Sequence, residues 1–203
     1  MFTRIKNSAK TSRDRKQSVI GDNCPLLYAL KRKQGLNTDI TSIKRLLESG
    51  NAILSTLAQQ LQADTVVYMP SSHSLSKIVA RRCALKFQAA LAHEVFVKTT
   101  RSEACQMIEL ALAQGAITTQ DRKRLHFRLK AADVFSLKAI PIGFRQFFSP
   151  VRLNELCGDM AMGRVVMVDD LLATGRTLSV ARQLVLTLPG VTSVEAVCLF
   201  SDV

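Results

Sequence analysis

The chain is 203 residues long, room for one domain with a sizeable core, and 47% of it is hydrophobic but only 5% aromatic, with no Trp; such a core is mostly aliphatic, as in a buried parallel sheet. Its formal net charge of +12, from 28 Lys+Arg against 16 Asp+Glu, gives a positive field that attracts anions without saying which. The first 19 residues lack the unbroken apolar run of a signal peptide and no later run is long enough to span a bilayer, so a soluble, cytoplasmic chain with no membrane partner is expected.

Residues 1–22 are basic and nearly free of apolar periodicity, which predicts a mobile arm before a single domain over 23–203. Leu26, Leu27 and Leu30, followed by Lys31-Arg32-Lys33, predict a short amphipathic helix ending near Gly35. Residues 41–62 predict a longer helix bent near Gly50. A β-rich run over 65–69 stops at Pro70 and reads as a buried strand. A helix over 74–92 and a strand over 93–97, ending at Lys98, complete a right-handed βαβ unit.

Residues 99–162 are expected to form an insertion or lid, with helices over 103–114 and 119–132 and an irregular strand within 138–148. A strand over 164–168, a helix over 174–188 and a strand over 192–200 make a second βαβ unit. The five cysteines, Cys24, Cys83, Cys105, Cys157 and Cys198, are odd in number and lack C-x-x-C spacing, so they read as reduced, buried thiols. The expected architecture is therefore α/β, a parallel Rossmann-like sheet flanked by helices.

The chemistry concentrates at 165–177. Val165-Val166-Met167-Val168 delivers Asp169 and Asp170 to the C-terminal edge of a buried strand, where open α/β sheets bind ligands. Leu171, Leu172, Ala173, Thr174, Gly175, Arg176 and Thr177 then turn into a helix, whose unpaired first N–H groups and positive dipole end suit a phosphate.

This run resembles the phosphoribosyl-pyrophosphate (PRPP) loop of the type I phosphoribosyltransferases, and is especially similar to that of the adenine phosphoribosyltransferases, with Arg176 where those enzymes commonly carry Gly. The resemblance implies a type I phosphoribosyltransferase fold with an N-terminal helical hood and a basic helical insertion. It also implies that Asp169 and Asp170 hold the ribose 2′ and 3′ hydroxyls with Mg²⁺ nearby, directly or through those hydroxyls, and that Ala173 to Thr177 wrap the 5′-phosphate. In the order of its parts the chain resembles the ComF family: a Leu-rich basic stretch, a strand ending at Tyr68-Met69-Pro70-Ser71-Ser72-His73, a basic helix, and the PRPP loop last. Ser76-Lys77-Ile78-Val79-Ala80 stands where ComF-like chains show Arg-Gly-Phe-Asn-Gln.

By the same resemblance Ser71, Ser72 and His73 form the pyrophosphate loop, and Lys98 is a catalytic cation against the leaving pyrophosphate; an ordinary turn with a Ser cap, and a solvated strand-end lysine, are the alternatives. Residues 122–130, with Arg122, Lys123, Arg124, Arg128 and Lys130, read as a lid over PRPP, a nucleic-acid-facing helix, or a solvated face. Phe144, Phe147 and Phe148 read as core packing or as base stackers. The resemblance implies Mg²⁺-dependent transfer of a phosphoribosyl group from PRPP to a nitrogenous base by a homodimer. The alternative is a non-catalytic PRPP- or nucleotide-binding module that works with DNA or RNA machinery, in DNA uptake or genome defence, through its basic arm and residues 122–130.

Overall fold

The computed structural model describes residues 2–3, 24–130, 135–155, 162–172 and 175–201. Its frame is a parallel sheet in the order β7-β6-β2-β3, formed by β2 (Thr65–Tyr68), β3 (Ala90–Leu91), β6 (Gly163–Leu172) and β7 (Val191–Ser201). β1 (Phe2–Thr3) adds two residues beside the end of β7; the rest of the predicted mobile arm lies outside the described residues. The protein is thus α/β with a Rossmann-like arrangement of parallel strands and helices.

Alternation along β6 sorts the core into two layers. Val166 and Val168 face α3 (Leu75–Phe87) and join a cluster with Leu54, Ala80 and Cys83. Val165 and Met167 face α6 (Arg176–Val185) and join Ala181, Val185 and Val95. Both faces are apolar, as a helix-covered parallel strand requires. The long helix α2 (Ile40–Gln60) packs on α3 and passes through Gly50 without interruption, where a bend was expected. Its start is set by Asp39, whose carboxylate accepts from Ser42 N at 2.8 Å.

Several predicted elements moved. The strand parallel to β2 is Ala90–Leu91, not 93–97, because the preceding helix ends early: Gln88 takes a left-handed conformation at φ 53° and turns the chain into the sheet. Residues Phe96–Lys98 instead form β4, paired antiparallel with β5 (Val151–Leu153) in a separate two-stranded sheet. The chain therefore leaves for α4 and α5 and returns through this ribbon, with residues 99–150 between its two strands. That stretch holds α4 (Arg101–Ala113) and α5 (Thr119–Lys130), and where an irregular strand was expected it has two 3₁₀ turns, Leu137–Ala139 and Ile142–Phe147, around Pro141.

The insertion has its own core of Ala104, Ile108, Leu125, Leu129, Ile140 and Phe148. Phe148 is fully buried and stacks on Phe135 with ring centroids 5.7 Å apart, while Phe144 and Phe147 pack against the same cluster. These rings are packing residues rather than base stackers. Thr100 and Glu103 form a reciprocal capping box on α4, with Thr100 N donating to Glu103 Oε2 at 2.6 Å and Glu103 N donating to Thr100 Oγ1 at 3.2 Å.

One backbone position at the start of β6 is sterically committed. Gly163 has φ +58°, and a Cβ there would stand 2.5 Å from Asp64 Oδ2. Asp64 cannot easily give way, since it accepts from Arg164 N at 2.8 Å, Arg164 Nε at 2.9 Å and Arg164 Nη2 at 2.7 Å. Gly163→Ala should therefore lower stability by about 1–3 kcal/mol, read as a lower urea midpoint with an unchanged slope.

Candidate functional site

The site is built at the C-terminal end of the sheet. β6 does not stop at Val168 as expected. Its ladder with β7 runs on through Asp169, opposite Cys198, to Leu171 opposite Phe200 and Leu172 opposite Ser201. Asp169, Asp170, Leu171 and Leu172 are thus strand residues rather than turn residues. Ala173 and Thr174 lie outside the described residues.

Asp170 is 7% exposed and its carboxylate is met by Lys31 Nζ. Lys31 caps α1 (Pro25–Leu30), a single helical turn started by Pro at its first positions. Cys24 and Leu27 of this segment pack with Phe200, Leu171 and Leu199. Apolar burial of α1 on the sheet's end is what brings Lys31 down onto Asp170. From periodicity alone Lys31-Arg32-Lys33 is only the end of an amphipathic helix. The available signal was its place directly after Leu26, Leu27 and Leu30, which marks the basic run as the edge of a docked turn.

Asp169 Oδ1 accepts from Asp170 N at 2.8 Å. Burial, and then the neighbouring Asp170 charge, push the Asp169 carboxyl up to about 7; the charges of Lys31 and Lys98 act the other way without offsetting this. His73 is shifted downward, first by desolvation and then by Lys33 and Lys31, with Asp170 opposing and Lys98 adding to the shift. Lys31 and Lys98 thus act on Asp169 and His73 senses Asp170, while the direct contact with the pair is the Lys31–Asp170 ion pair.

Beside them opens a cavity of about 510 Å³ at the ends of β2 and β4, lined by Ser71, Ser72, His73, Lys77, Glu94 and Lys98 among others. Asp169 and Asp170 stand outside its walls. Ser71 Oγ accepts from His73 N at 3.3 Å, a local turn contact, whereas Ser74 makes no side-chain cap on α3. Ser71 and Ser72 are exposed, as is Lys98 at the end of β4.

On the far side, α6 begins at Gly175, which has φ 69° and makes no side-chain cap. A helix N-terminus carries N–H groups and a positive dipole end that suit an anion. Arg176 does not point to solvent: its Nη2 donates to Gln146 O at 2.9 Å, tying the start of α6 to the insertion. Thr177 lies in the first turn of α6, half-buried. The remaining histidines have structural partners, His126 with Glu109 at 2.7 Å and His93 with Tyr68 at 3.4 Å. Among the described residues no three His, Cys, Asp or Glu side chains are grouped to hold a metal by themselves, and no helix is long and apolar enough to cross a membrane. Cys24, Cys83 and Cys198 are buried and in no disulfide, and burial raises Cys83 and Cys198 to about 12; Cys157 lies outside the described residues.

Because Asp169 binds its proton more tightly folded than unfolded, the fold loses stability as pH rises from about 4 to about 7. Asp169→Asn removes that loss and should be more stable than the parent at pH 8 by roughly 2 kcal/mol. The gap should close by pH 4 to 5 in parallel urea titrations. Lys31→Ala leaves Asp170 buried opposite no cation and should cost about 3–5 kcal/mol at pH 8 by the same measurement.

Compared with known proteins, the chain matches no family model, no curated protein and no solved structure, so a function for this site rests on the site's own chemistry.

Proposed function

We propose that the protein is a type I phosphoribosyltransferase, ComF-like in layout, that binds PRPP and transfers its phosphoribosyl group to a nitrogenous base with release of pyrophosphate. The observation that carries this reading is the pair of carboxylates, Asp169 and Asp170, half-buried and buried at the C-terminal end of a central strand, just before a helix N-terminus with no side-chain cap. A sugar diol bonds to adjacent carboxylates, and a phosphate to a helix N-terminus, so one phosphorylated ribose satisfies both halves.

In this reading Asp169 and Asp170 accept hydrogen bonds from the ribose 2′ and 3′ hydroxyls, and Lys31 orients the Asp170 carboxylate until the sugar arrives. Backbone N–H groups at Gly175, Arg176 and Thr177 bind the 5′-phosphate, joined in sequence by Ala173 and Thr174. Ser71, Ser72 and His73 receive the pyrophosphate, and Lys98 offsets the charge that grows on it as the C1–O bond breaks and the bond to the base nitrogen forms. The two carboxylates suit a divalent cation that arrives on a polyphosphate, the usual habit of Mg²⁺. When bound, Mg²⁺ held by Asp169 and Asp170 would neutralise charge on the leaving group. In the same reading the insertion, joined to α6 through Arg176 and Gln146, excludes water from the sugar.

A second reading is a non-catalytic PRPP- or nucleotide-binding module. It is favoured by the same ion pair, because a ligand must compete with Lys31 for Asp170.

Isothermal titration of PRPP with Mg²⁺ tests both. Wild-type protein should bind, and the Asp169→Asn, Asp170→Asn double variant should bind at least about 100-fold more weakly, since two charge-assisted hydrogen bonds are lost. Pyrophosphate release with a panel of bases selects the enzyme, binding without release selects the module, and no binding to folded wild-type protein overturns both.

A further inference from the structure

We propose that the outer face of α5 is a docking surface for single-stranded nucleic acid, with Phe127 as the platform on which a base stacks. α5 reads TQDRKRLHFRLK, so its cations Arg122, Lys123, Arg124, Arg128 and Lys130 face a single acid, Asp121. That acid is engaged in capping: Asp121 Oδ2 accepts from Thr118 N at 3.1 Å and from Thr118 Oγ1 at 2.7 Å. Glu109 of α4 takes Arg122 and His126, at 2.9 and 2.7 Å, and so orients one flank of the face. Lys123, Arg124, Arg128 and Lys130 stand exposed.

Phe127 lies among them and is 74% exposed. A lone exposed apolar residue on a surface needs no explanation. This ring, however, has cations at i−4, i−3 and i+3, its neighbours on a helix surface, and it borders an open depression of about 360 Å³ lined by Arg122, Lys123, His126, Phe127 and Lys130. An aromatic face bordered by cations offers a base its stacking partner and the flanking phosphates their counter-charges, which is how sequence-tolerant single-strand binding is built. In a duplex the bases are already stacked on one another, and the ring would find no free face.

A lipid surface fits less well. Leu125 and Leu129, the aliphatic side chains of α5, are 1% and 2% exposed in the insertion's core. One ring is left to enter a bilayer, whereas an interfacial helix buries a whole apolar face. The support beneath the platform is rigid, since α4 and α5 share that core.

The test is fluorescence anisotropy of a labelled oligothymidylate of about 15 nucleotides with the full chain, across a salt series. Phe127→Ala should weaken binding roughly ten-fold at every salt concentration without changing the salt slope. Lys123→Gln with Lys130→Gln should flatten the log–log salt slope by about 1.4, two phosphates at about 0.7 each. All three side chains are exposed, so circular dichroism and the urea midpoint should be unchanged in these variants. The Asp169→Asn, Asp170→Asn protein should bind the oligonucleotide as the parent does, so this surface can fail while the PRPP site stands, and the reverse. No binding at low salt, or binding indifferent to Phe127→Ala, overturns the proposal. So does phosphatidylserine-vesicle binding that Phe127→Ala abolishes when the oligonucleotide is not bound.

Discussion

Two neighbouring carboxylates held out of water at the end of a buried strand are electrostatically unfavourable unless something opposes their charge. β6 accepts that arrangement at Asp169 and Asp170, and the surroundings answer it unequally. Asp170 has an ion-pair partner in Lys31, while Asp169 has a single backbone donor and holds its proton up to about pH 7. The imbalance leaves one satisfied and one dissatisfied acid side by side. Such an arrangement weakens the fold as pH rises, because Asp169 must then give up its proton in place.

The segments that answer the two acids are far apart in sequence and meet only because of how the sheet is dressed. Lys31 comes from a turn docked by Leu27 against Phe200 and Leu171. His73 follows β2, and Lys98 ends a ribbon strand outside the main sheet. Arg176 reaches across to the backbone of Gln146 and fixes the insertion against the start of α6. Part of the chain's positive charge is therefore spent locally, in the Lys31–Asp170 ion pair, and part is gathered on α5.

Much of this was legible from residue order. The two apolar layers of β6 follow from its unbroken Val and Met run, and the helices α2 to α6 follow from periodicity, while their starts at the Asp39 and Thr100 caps came only with the structure. The adjacent acids before Gly175 could be read at once as standing at the edge of a buried strand, and the structure puts Asp169 and Asp170 in the last residues of β6. What periodicity could not give was strand partnership. Residues 96–98 have the apolar character of a sheet strand, but the left-handed turn at Gln88 had already used Ala90 and Leu91 to pair with β2. Nor could it give Lys31 its partner, since that ion pair exists only after α1 has docked. The continuation of β6 through Leu172 was hidden too, because acids ordinarily mark a strand's end, and here the ladder with β7 overrides that preference.

The ribbon of β4 and β5 brings the two ends of the insertion together, with Lys98 opposite Val151, Thr99 N donating to Pro150 O at 3.2 Å, and Arg152 Nε 2.6 Å from Glu103 Oε1. A segment whose entry and exit are neighbours can be lengthened, shortened or exchanged without rethreading the sheet, because the closure entropy of what lies between changes only slowly with its length. The half of the molecule that bears the carboxylates and the half that bears the basic helix are thus topologically separable. Divergence in the one half can therefore proceed without disturbing the strand order of the other.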